Sequence, residues 1–114
     1  MSAGGHELPS GTVTFLFTDI EGSTRLVKAL GERYHGVLEE HQRILRAAFD
    51  EYHGREVDTQ GDSFFVAFRR ARDAIGAAVA AQRELAAHDW PEGVEVKVRM
   101  GSMAIIRSRG FGRR

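Results

Sequence analysis

The chain has 114 residues, of which 42% are hydrophobic, and this predicts one domain that buries about 65% of the surface its unfolded chain exposes. Sixteen basic residues balance sixteen acidic ones, which excludes a strong overall field for nucleic acid or for an anionic membrane. Cysteine is absent, no apolar run approaches the ~20 residues that span a bilayer, and MSAGGHELPSG lacks a signal-peptide pattern. We therefore expect a cytoplasmic protein without disulfides or thiolate metal sites.

The first half of the chain predicts a leader, a strand and two helices. Residues 1–11 are rich in Gly, Ser and Pro and predict a flexible leader, and the run TVTFLFT that follows predicts a buried strand. STRLVKAL has helical spacing, with Ser23 as its expected N-cap. Helical spacing continues over residues 32–53, where His41 is expected to be a core histidine with one hydrogen bond. Gly54 fits the left-handed position that closes such a helix.

The second half predicts a hairpin, a helix and a last strand. GREVDTQ and SFFVAF are short strand-like runs joined by a tight turn at residues 60–62. Residues 71–87 predict an alanine-rich helix whose core side carries Ile75, Val79 and Leu85. After a turn at WPEG, the run VEVKVRMG alternates valines with other residues, mostly charged, as a half-buried strand does.

This order of elements, β-α-β-β-α-β with a helix pair in the first α position, is typical of a ferredoxin-like α/β fold. In that fold an antiparallel sheet carries the helices on one face, the first strand is central, and the hairpin lies beside it. Asp19 follows the first strand and Asp62 lies at the hairpin turn. We therefore expect the two carboxylates to lie close together.

The segment DIEGST, which begins at Asp19, combines an acid with a glycine and two hydroxyls just before a helix. Backbone N–H groups at the start of a helix can face an anion, and two carboxylates with a main-chain carbonyl suit Mg²⁺ or Mn²⁺. Such a site would handle nucleotide triphosphates. The alternative is purely structural, in which Asp19 caps the helix and Asp62 occupies a turn for local reasons.

Two motifs together resemble those of a known enzyme family. FLFTDIEGSTRL, with TQGDSFFVAF further along, closely resembles the catalytic domain of class III adenylate and guanylate cyclases of the bacterial type, and the likeness runs from about Thr12 to Gly101. It implies that Asp19 and Asp62 bind metal together with the main-chain carbonyl of Ile20. It also implies a turn that cradles the triphosphate, formed by Glu21, Gly22, Ser23 and Thr24.

The resemblance further implies a reaction and its partners. In the family, two Mg²⁺ or Mn²⁺ ions activate the ribose 3′-hydroxyl of ATP or GTP for attack on the α-phosphate, which yields cAMP or cGMP and pyrophosphate. Active sites of the family lie at the interface of a homodimer or heterodimer of cyclase domains. One chain supplies the metal aspartates, and the other supplies base recognition and the transition-state groups.

The chain departs from the family pattern at two places. Asp58 stands where adenylate cyclases carry a lysine that recognises the base, and an ionised aspartate can only accept hydrogen bonds, as a guanine amino group would require. After Gly101 the chain reads SMAIIRSRGFGRR, in which no residue matches the asparagine and arginine of the family's transition state. We divide the chain into a leader (1–11), the N-terminal two-thirds of a cyclase domain (12–101) and a divergent basic tail (102–114). No catalytic residue is predicted beyond the metal ligands.

The main hypothesis is a nucleotide cyclase domain of intracellular signalling whose transition-state half is missing from this chain. The alternative is a metal–nucleotide-binding or regulatory partner of a complete cyclase. A ferredoxin-like nucleic-acid module is disfavoured by the balanced charge and by the lack of aromatics arranged for base stacking. Arg25 is expected to face either the triphosphate or solvent, and the tail arginines either touch phosphate or belong to a disordered end.

Overall fold

The structure, a computed structural model, describes residues 11–107. Its elements are β1 (Gly11–Ile20), α1 (Ser23–Leu30), α2 (Tyr34–Glu51), β2 (Arg55–Gln60), β3 (Ser63–Phe68), α3 (Ala71–Ala87) and β4 (Val98–Arg107), with a 3-10 turn at Gly31–Arg33. The predicted order of strands and helices is confirmed. Within residues 11–107, no helix has the length and apolar character needed to cross a bilayer.

The four strands form one sheet in the order β2-β3-β1-β4, and every neighbouring pair is antiparallel. This is the predicted ferredoxin-like arrangement with β1 as a central strand. β1 pairs with β4 from Gly11 opposite Arg107 to Ile20 opposite Val98. The turn between β2 and β3 contains Gly61, whose φ of 57° lies in the left-handed region that favours glycine.

The hydrophobic core lies between one face of the sheet and the helices α2 and α3. Burial of these apolar side chains is the main force that holds the two layers together. Phe49 of α2 packs edge-on against Phe64 and Phe68 of β3, at ring-centroid distances of 5.3 and 6.5 Å. The strand and α2 members of the core include Leu16, Ile20, Phe64, Val66, Phe68, Val37, Ile44, Leu45, Ala48 and Phe49.

The other face of the sheet carries apolar side chains that the described residues leave partly exposed. We call Phe15, Phe17, Phe65, Met103 and Ile105 the open face. Phe65 stacks between Phe15 and Phe17, with ring centroids 4.9 and 4.8 Å apart. Phe17, Met103 and Ile105 are 40%, 45% and 42% exposed. Because exposed apolar surface of this kind often marks an interaction site, the open face bears on the function discussed below.

The core side of α3 differs from the prediction. Ile75 and Val79 were expected in the core but are 62% and 44% exposed, whereas Leu85 is buried as predicted. The buried side of α3 is otherwise formed by alanines, at positions 74, 77 and 81. Small side chains let α3 approach α2 and the sheet closely, so the helix turns its alanine stripe inward and its larger β-branched residues outward.

The last strand begins later and ends later than predicted. The expected strand over residues 94–101 starts only at Val98, because β1, its partner, ends at the opposing residue Ile20. The preceding segment is held by other contacts, among them a hydrogen bond from Trp90 Nε1 to the carbonyl of Leu85 at 3.0 Å. β4 then continues to Arg107, past the predicted boundary at residue 101. Most of the predicted leader (1–10) and half of the predicted tail (108–114) lie outside the described residues.

Two predicted helix ends are wrong in detail. The N-cap of α1 is Gly22, with a left-handed φ of 68°, rather than Ser23. After α2 it is His53, with φ 65°, that takes the left-handed conformation expected of Gly54. Gly54 is needed for space instead, since a Cβ there would lie 2.7 Å from the ring of Phe68.

Candidate functional site

Asp19 and Asp62 lie together at one end of the sheet. The main-chain N–H of Ile20 donates a hydrogen bond of 2.7 Å to Oδ2 of Asp62, which joins residues 42 positions apart. From α2, the side-chain amide of Gln42 donates to the carbonyl of Gly61 across 3.1 Å. The hairpin turn is therefore fixed from two sides, and it presents the carboxylate of Asp62 beside the end of β1.

The structural alternative for Asp19, in which its side chain caps α1, is wrong. α1 is capped by Gly22, and no side-chain cap hydrogen bond is found at that end within the described part of the chain. Asp62 does have a structural contact, through Ile20, but this contact uses only one of its two carboxylate oxygens.

Both carboxylates line a pocket of about 500 Å³ at the start of α1. Three basic side chains, from α1 and β4, surround the two acids, so the pocket suits an anion that arrives with a cation. Its lining residues are Asp19, Ile20, Gly22, Ser23, Thr24, Arg25, Lys28, Asp62 and Arg99.

This set contains every residue predicted for the metal and the triphosphate except Glu21. The main-chain N–H of Glu21 donates to the carbonyl of Lys97 across 2.7 Å, so it is already engaged. Arg25, for which two positions were open, lines the pocket. Lys28 was not predicted, although it follows Thr24 by one helical turn and therefore shares a helix face with it.

Arg99 was not predicted from the sequence either. Its Nε and Nη2 donate to Oδ1 and Oδ2 of Asp19 at 2.9 and 2.8 Å. The two residues are directly opposite each other in the β1–β4 ladder. The hydrogen bonds with Asp19 raise the pKa of Arg99 further above its usual range. The alternation of valines with charged residues in VKVRMG predicts that Arg99 lies on the charged side of its strand. Its pairing with Asp19 follows only from the register of β1 and β4.

A second pocket, of about 640 Å³, opens on the open face. Asp19 and Arg99 line this pocket as well as the first, so the ion pair lies between the two. Asp58, predicted to contact the base, also lines the second pocket, together with Phe17 and Phe65. The oxygens of Asp58 accept local hydrogen bonds from a main-chain N–H at 2.9 Å and from a glutamine amide at 3.2 Å.

Two groups near Asp62 have shifted pKa values. Burial, with the negative charge of Asp62, raises the pKa of Tyr34. Burial lowers the pKa of His41 to about 4, an effect that the charge of Asp62 only partly offsets. His41 is fully buried, and among residues 11–107 neither ring nitrogen makes a hydrogen bond of ordinary geometry. His41 is therefore a neutral core residue at pH 7 and not a further cation of the site.

The sequence matches a known family over most of its length. The family model for the adenylate and guanylate cyclase catalytic domain matches residues 6–102. This chain belongs to the adenylate and guanylate cyclase catalytic domain family. The resemblance seen in the two motifs is thus confirmed.

Curated relatives and solved structures support the same assignment for this cyclase domain. Receptor-type adenylate cyclase B of Leishmania donovani is 44% identical over 78 residues, which are 68% of this chain and 6% of that protein. The adenylate cyclase of Lachancea kluyveri is 36% identical over 84 residues, 74% of this chain and 5% of that protein. An adenylate cyclase structure from Trypanosoma brucei in the monomeric state has a TM-score of 0.78 and 26% identity, and the match covers 84% of this chain and 57% of that one.

A more distant structure shows the fold alone. The guanylate cyclase domain of RhGC from Catenaria anguillulae, in complex with GTP, has a TM-score of 0.73 at 17% identity, over 82% of this chain and 56% of that one. This cyclase domain therefore spans a few per cent of the curated relatives and little more than half of the solved domains.

The family uses divalent metal, and the donor set of this cyclase domain fits such an ion. Asp19 and Asp62 offer carboxylate oxygens and Ile20 a main-chain carbonyl, which are the oxygen ligands that hard cations prefer. In the region 11–107, no group of three or more acidic or histidine side chains converges on one point. Two carboxylates with waters and phosphate oxygens are typical of a metal that accompanies a nucleotide.

Proposed function

We propose that this chain forms the metal-binding and triphosphate-binding part of a nucleotide cyclase site, which converts ATP or GTP into a cyclic nucleotide and pyrophosphate. The observation that carries this proposal is the position of Asp19 and Asp62 in one pocket with Arg25, Lys28 and Arg99. Membership of the cyclase family and relatives that are adenylate cyclases favour this function over a purely regulatory partner.

In this proposal the residues of the first pocket have distinct roles. Asp19, Asp62 and the carbonyl of Ile20 hold two Mg²⁺ or Mn²⁺ ions, which when bound lower the pKa of the ribose 3′-hydroxyl and neutralise phosphate charge. The turn Glu21–Thr24 and the start of α1 bind the triphosphate through the hydroxyls of Ser23 and Thr24 and through main-chain N–H groups other than that of Glu21, which donates to Lys97. Arg25 and Lys28 add positive charge beside it.

The second pocket is proposed to hold part of the nucleoside of a nucleotide whose metals the partner domain binds, because in the family one chain supplies the metal aspartates and the other recognises the base. Its apolar surface on the open face suits a base or ribose, and Asp58 provides an acceptor there. An acceptor matches a base that donates, which both adenine and guanine do through their amino groups. Binding of ATP and GTP to the wild-type chain and to Asp58→Asn would show which base depends on Asp58.

The transition-state groups are proposed to come from a complete second cyclase domain in a heterodimer, because a homodimer of these 114 residues contains no match for the family's asparagine and arginine. The open face lies next to Asp19 and leaves Phe17, Met103 and Ile105 partly exposed. An apolar surface beside a charged site is what a partner domain would cover while it supplies the transition-state side chains.

The site assignment can be tested by calorimetry with Mn²⁺ and a nonreactive analogue of ATP or GTP. Asp19→Asn and Asp62→Asn should each weaken binding at least about tenfold, because each removes a charged metal ligand. Asp50→Asn is the matched control, since it removes an exposed carboxylate of α2 away from the pocket. Wild-type affinity in both site variants would contradict the assignment.

The reaction can be tested in a mixed dimer. The chain is combined with a complete cyclase domain whose own metal aspartates have been changed to alanine, so that this chain supplies the metal aspartates and the partner supplies the transition-state groups. Cyclic nucleotide above the level of the mutant domain alone is the expected result. A mixed dimer that forms, as seen by sedimentation, and yet makes no additional product would instead support the non-catalytic partner.

A further inference from the structure

The carboxylate of Asp19 is already occupied on both of its oxygens. Arg99 donates one hydrogen bond to each, at 2.9 and 2.8 Å, in a bidentate pair. Arg25 and Lys28, the other two basic residues of the pocket, form no ion pair with any described residue. Among the three cations of the pocket, Arg99 is thus the one that is committed to a proposed metal ligand.

The register of the sheet builds this pair into the fold. Asp19 and Arg99 are opposite residues of the antiparallel β1–β4 ladder, so their side chains emerge on the same face within reach of each other. The pair is also partly exposed, with side-chain exposures of 63% for Arg99 and 39% for Asp19. Because the pair is exposed, water can replace the carboxylate as a partner of the guanidinium, although the bidentate geometry makes this one of the stronger exposed pairs.

A divalent cation and Arg99 compete for the carboxylate of Asp19. The cation needs at least one of the two oxygens, and a guanidinium at hydrogen-bond distance would face it with like charge. The like charges of the cation and the guanidinium repel each other at this distance, so metal binding and the Asp19–Arg99 pair are competing states of one carboxylate.

We propose that Arg99 is an ionic latch on Asp19, which competes with the divalent cation and keeps the affinity of the site for free metal low. This inference rests on the proposed metal site at Asp19. The latch makes occupancy of the site depend on release of Arg99, so that metal binds most readily when another anion is present to hold the guanidinium. The latch thus regulates how readily the divalent cation binds, and the residues that bind the metal stay the same.

The test is a Mn²⁺ titration of the purified 114-residue chain, with free Mn²⁺ followed by electron paramagnetic resonance and no nucleotide present. Arg99→Gln should bind Mn²⁺ about fivefold more tightly than wild type, the amount by which an exposed ion pair can compete. Lys28→Gln removes the same charge from the same pocket without freeing Asp19. It should change the affinity by less than about twofold, because exposed charges are screened.

Each outcome decides between specific alternatives. Equal affinities in Arg99→Gln and Lys28→Gln, or weaker binding in Arg99→Gln, would overturn the latch. Asp19→Asn separates this failure from failure of the proposed function, because wild-type Mn²⁺ affinity in that variant would show that Asp19 binds no metal at all. Circular dichroism of each variant checks that it is folded.

A second measurement follows the latch in the wild-type chain. The Nε–H resonance of Arg99 should shift when Mg²⁺ is added, towards its position in Asp19→Asn, because the cation displaces the guanidinium. A resonance that stays at its metal-free position at saturating Mg²⁺ would show that the pair and the metal coexist, and would contradict the proposal.

Discussion

The main-chain N–H of Ile20 donates a hydrogen bond of 2.7 Å to the carboxylate of Asp62, 42 positions further along the chain. Ile20 is only 1% exposed, and it lies beyond Thr18 and Phe64, the last pair of the β1–β3 ladder. The carboxylate therefore accepts the hydrogen bond that β3 no longer offers at that point. The same contact holds Asp62 beside Asp19, so one hydrogen bond serves both the fold and the site.

This contact predicts different stabilities for two variants of Asp62. Asp62→Ala leaves the N–H of Ile20 without a partner and should lower the free energy of unfolding by about 1–3 kcal/mol. Asp62→Asn keeps an accepting oxygen and should lower it by less than about 1 kcal/mol, although the negative charge is lost. Urea unfolding at pH 7 measures both. Equal losses would show that charge, and not the hydrogen bond, holds the turn.

The meeting of Asp19 with Asp62 was predictable because it depends only on topology. In a ferredoxin-like fold the first strand ends at the same end of the sheet as the hairpin turn, whatever the register of the strands. The pairing of Asp19 with Arg99 depends on register as well, and a shift by one residue would turn Arg99 to the other face of the sheet. Strands separated by most of the chain leave no local signal of their register, so this contact could be known only from the structure.

The orientation of α3 could not be predicted for a different reason. A prediction from hydrophobic periodicity takes the large apolar residues as the buried side of a helix, and in α3 these are Ile75, Val79 and Leu85. The helix instead packs through alanines, whose small size permits close approach but gives almost no signal in a periodicity argument. The close packing of the helices, rather than the hydrophobicity of single residues, decided which side faces inward.

Substitution of Ile75 tests this orientation. Because its side chain is 62% exposed, Ile75→Gln should change the free energy of unfolding by less than about 0.5 kcal/mol. Leu85→Ala, on the buried side of the same helix, should lower it by about 2–5 kcal/mol. Urea unfolding of the two variants provides the comparison. A loss above about 2 kcal/mol for Ile75→Gln would favour the orientation predicted from the sequence.

Close packing also predicts opposite effects for two helical glycines. A Cβ at Gly76 of α3 would overlap the ring of Tyr52, so Gly76→Ala should lower the free energy of unfolding by about 1–3 kcal/mol. At Gly36 of α2, a Cβ would have no described heavy atom within 4 Å apart from its chain neighbours and the backbone of its own helix. Gly36→Ala should therefore raise stability by about 0.5–1 kcal/mol through helix propensity alone. If both variants were stabilised in thermal unfolding, the contact with Tyr52 would not restrict α3.

The buried histidine predicts how stability depends on pH. The pKa of His41 is lowered by burial to about 4, whereas a histidine in the unfolded chain titrates near 6.5. At a pH between these two pKa values, His41 is protonated in the unfolded chain and neutral in the folded chain. The contribution of His41 to the free energy of unfolding is therefore fully present above about pH 6.5. It is lost as the pH decreases towards 4, by roughly 3 kcal/mol in total.

His41→Leu should remove this part of the pH dependence, because leucine fills a similar volume and takes up no proton. The variant should be at least as stable as wild type at pH 7, since neither ring nitrogen of His41 makes an ordinary hydrogen bond among the described residues. Urea unfolding at pH 7 and pH 4.5 gives the difference between the two chains, in which the contribution of the shared carboxylates cancels.

His35→Gln, which removes an exposed histidine of the same helix, is the control and should follow the wild-type curve. A His41→Leu curve parallel to wild type over this range would show that His41 is protonated in the folded chain, and hence that its surroundings are more polar than the structure indicates.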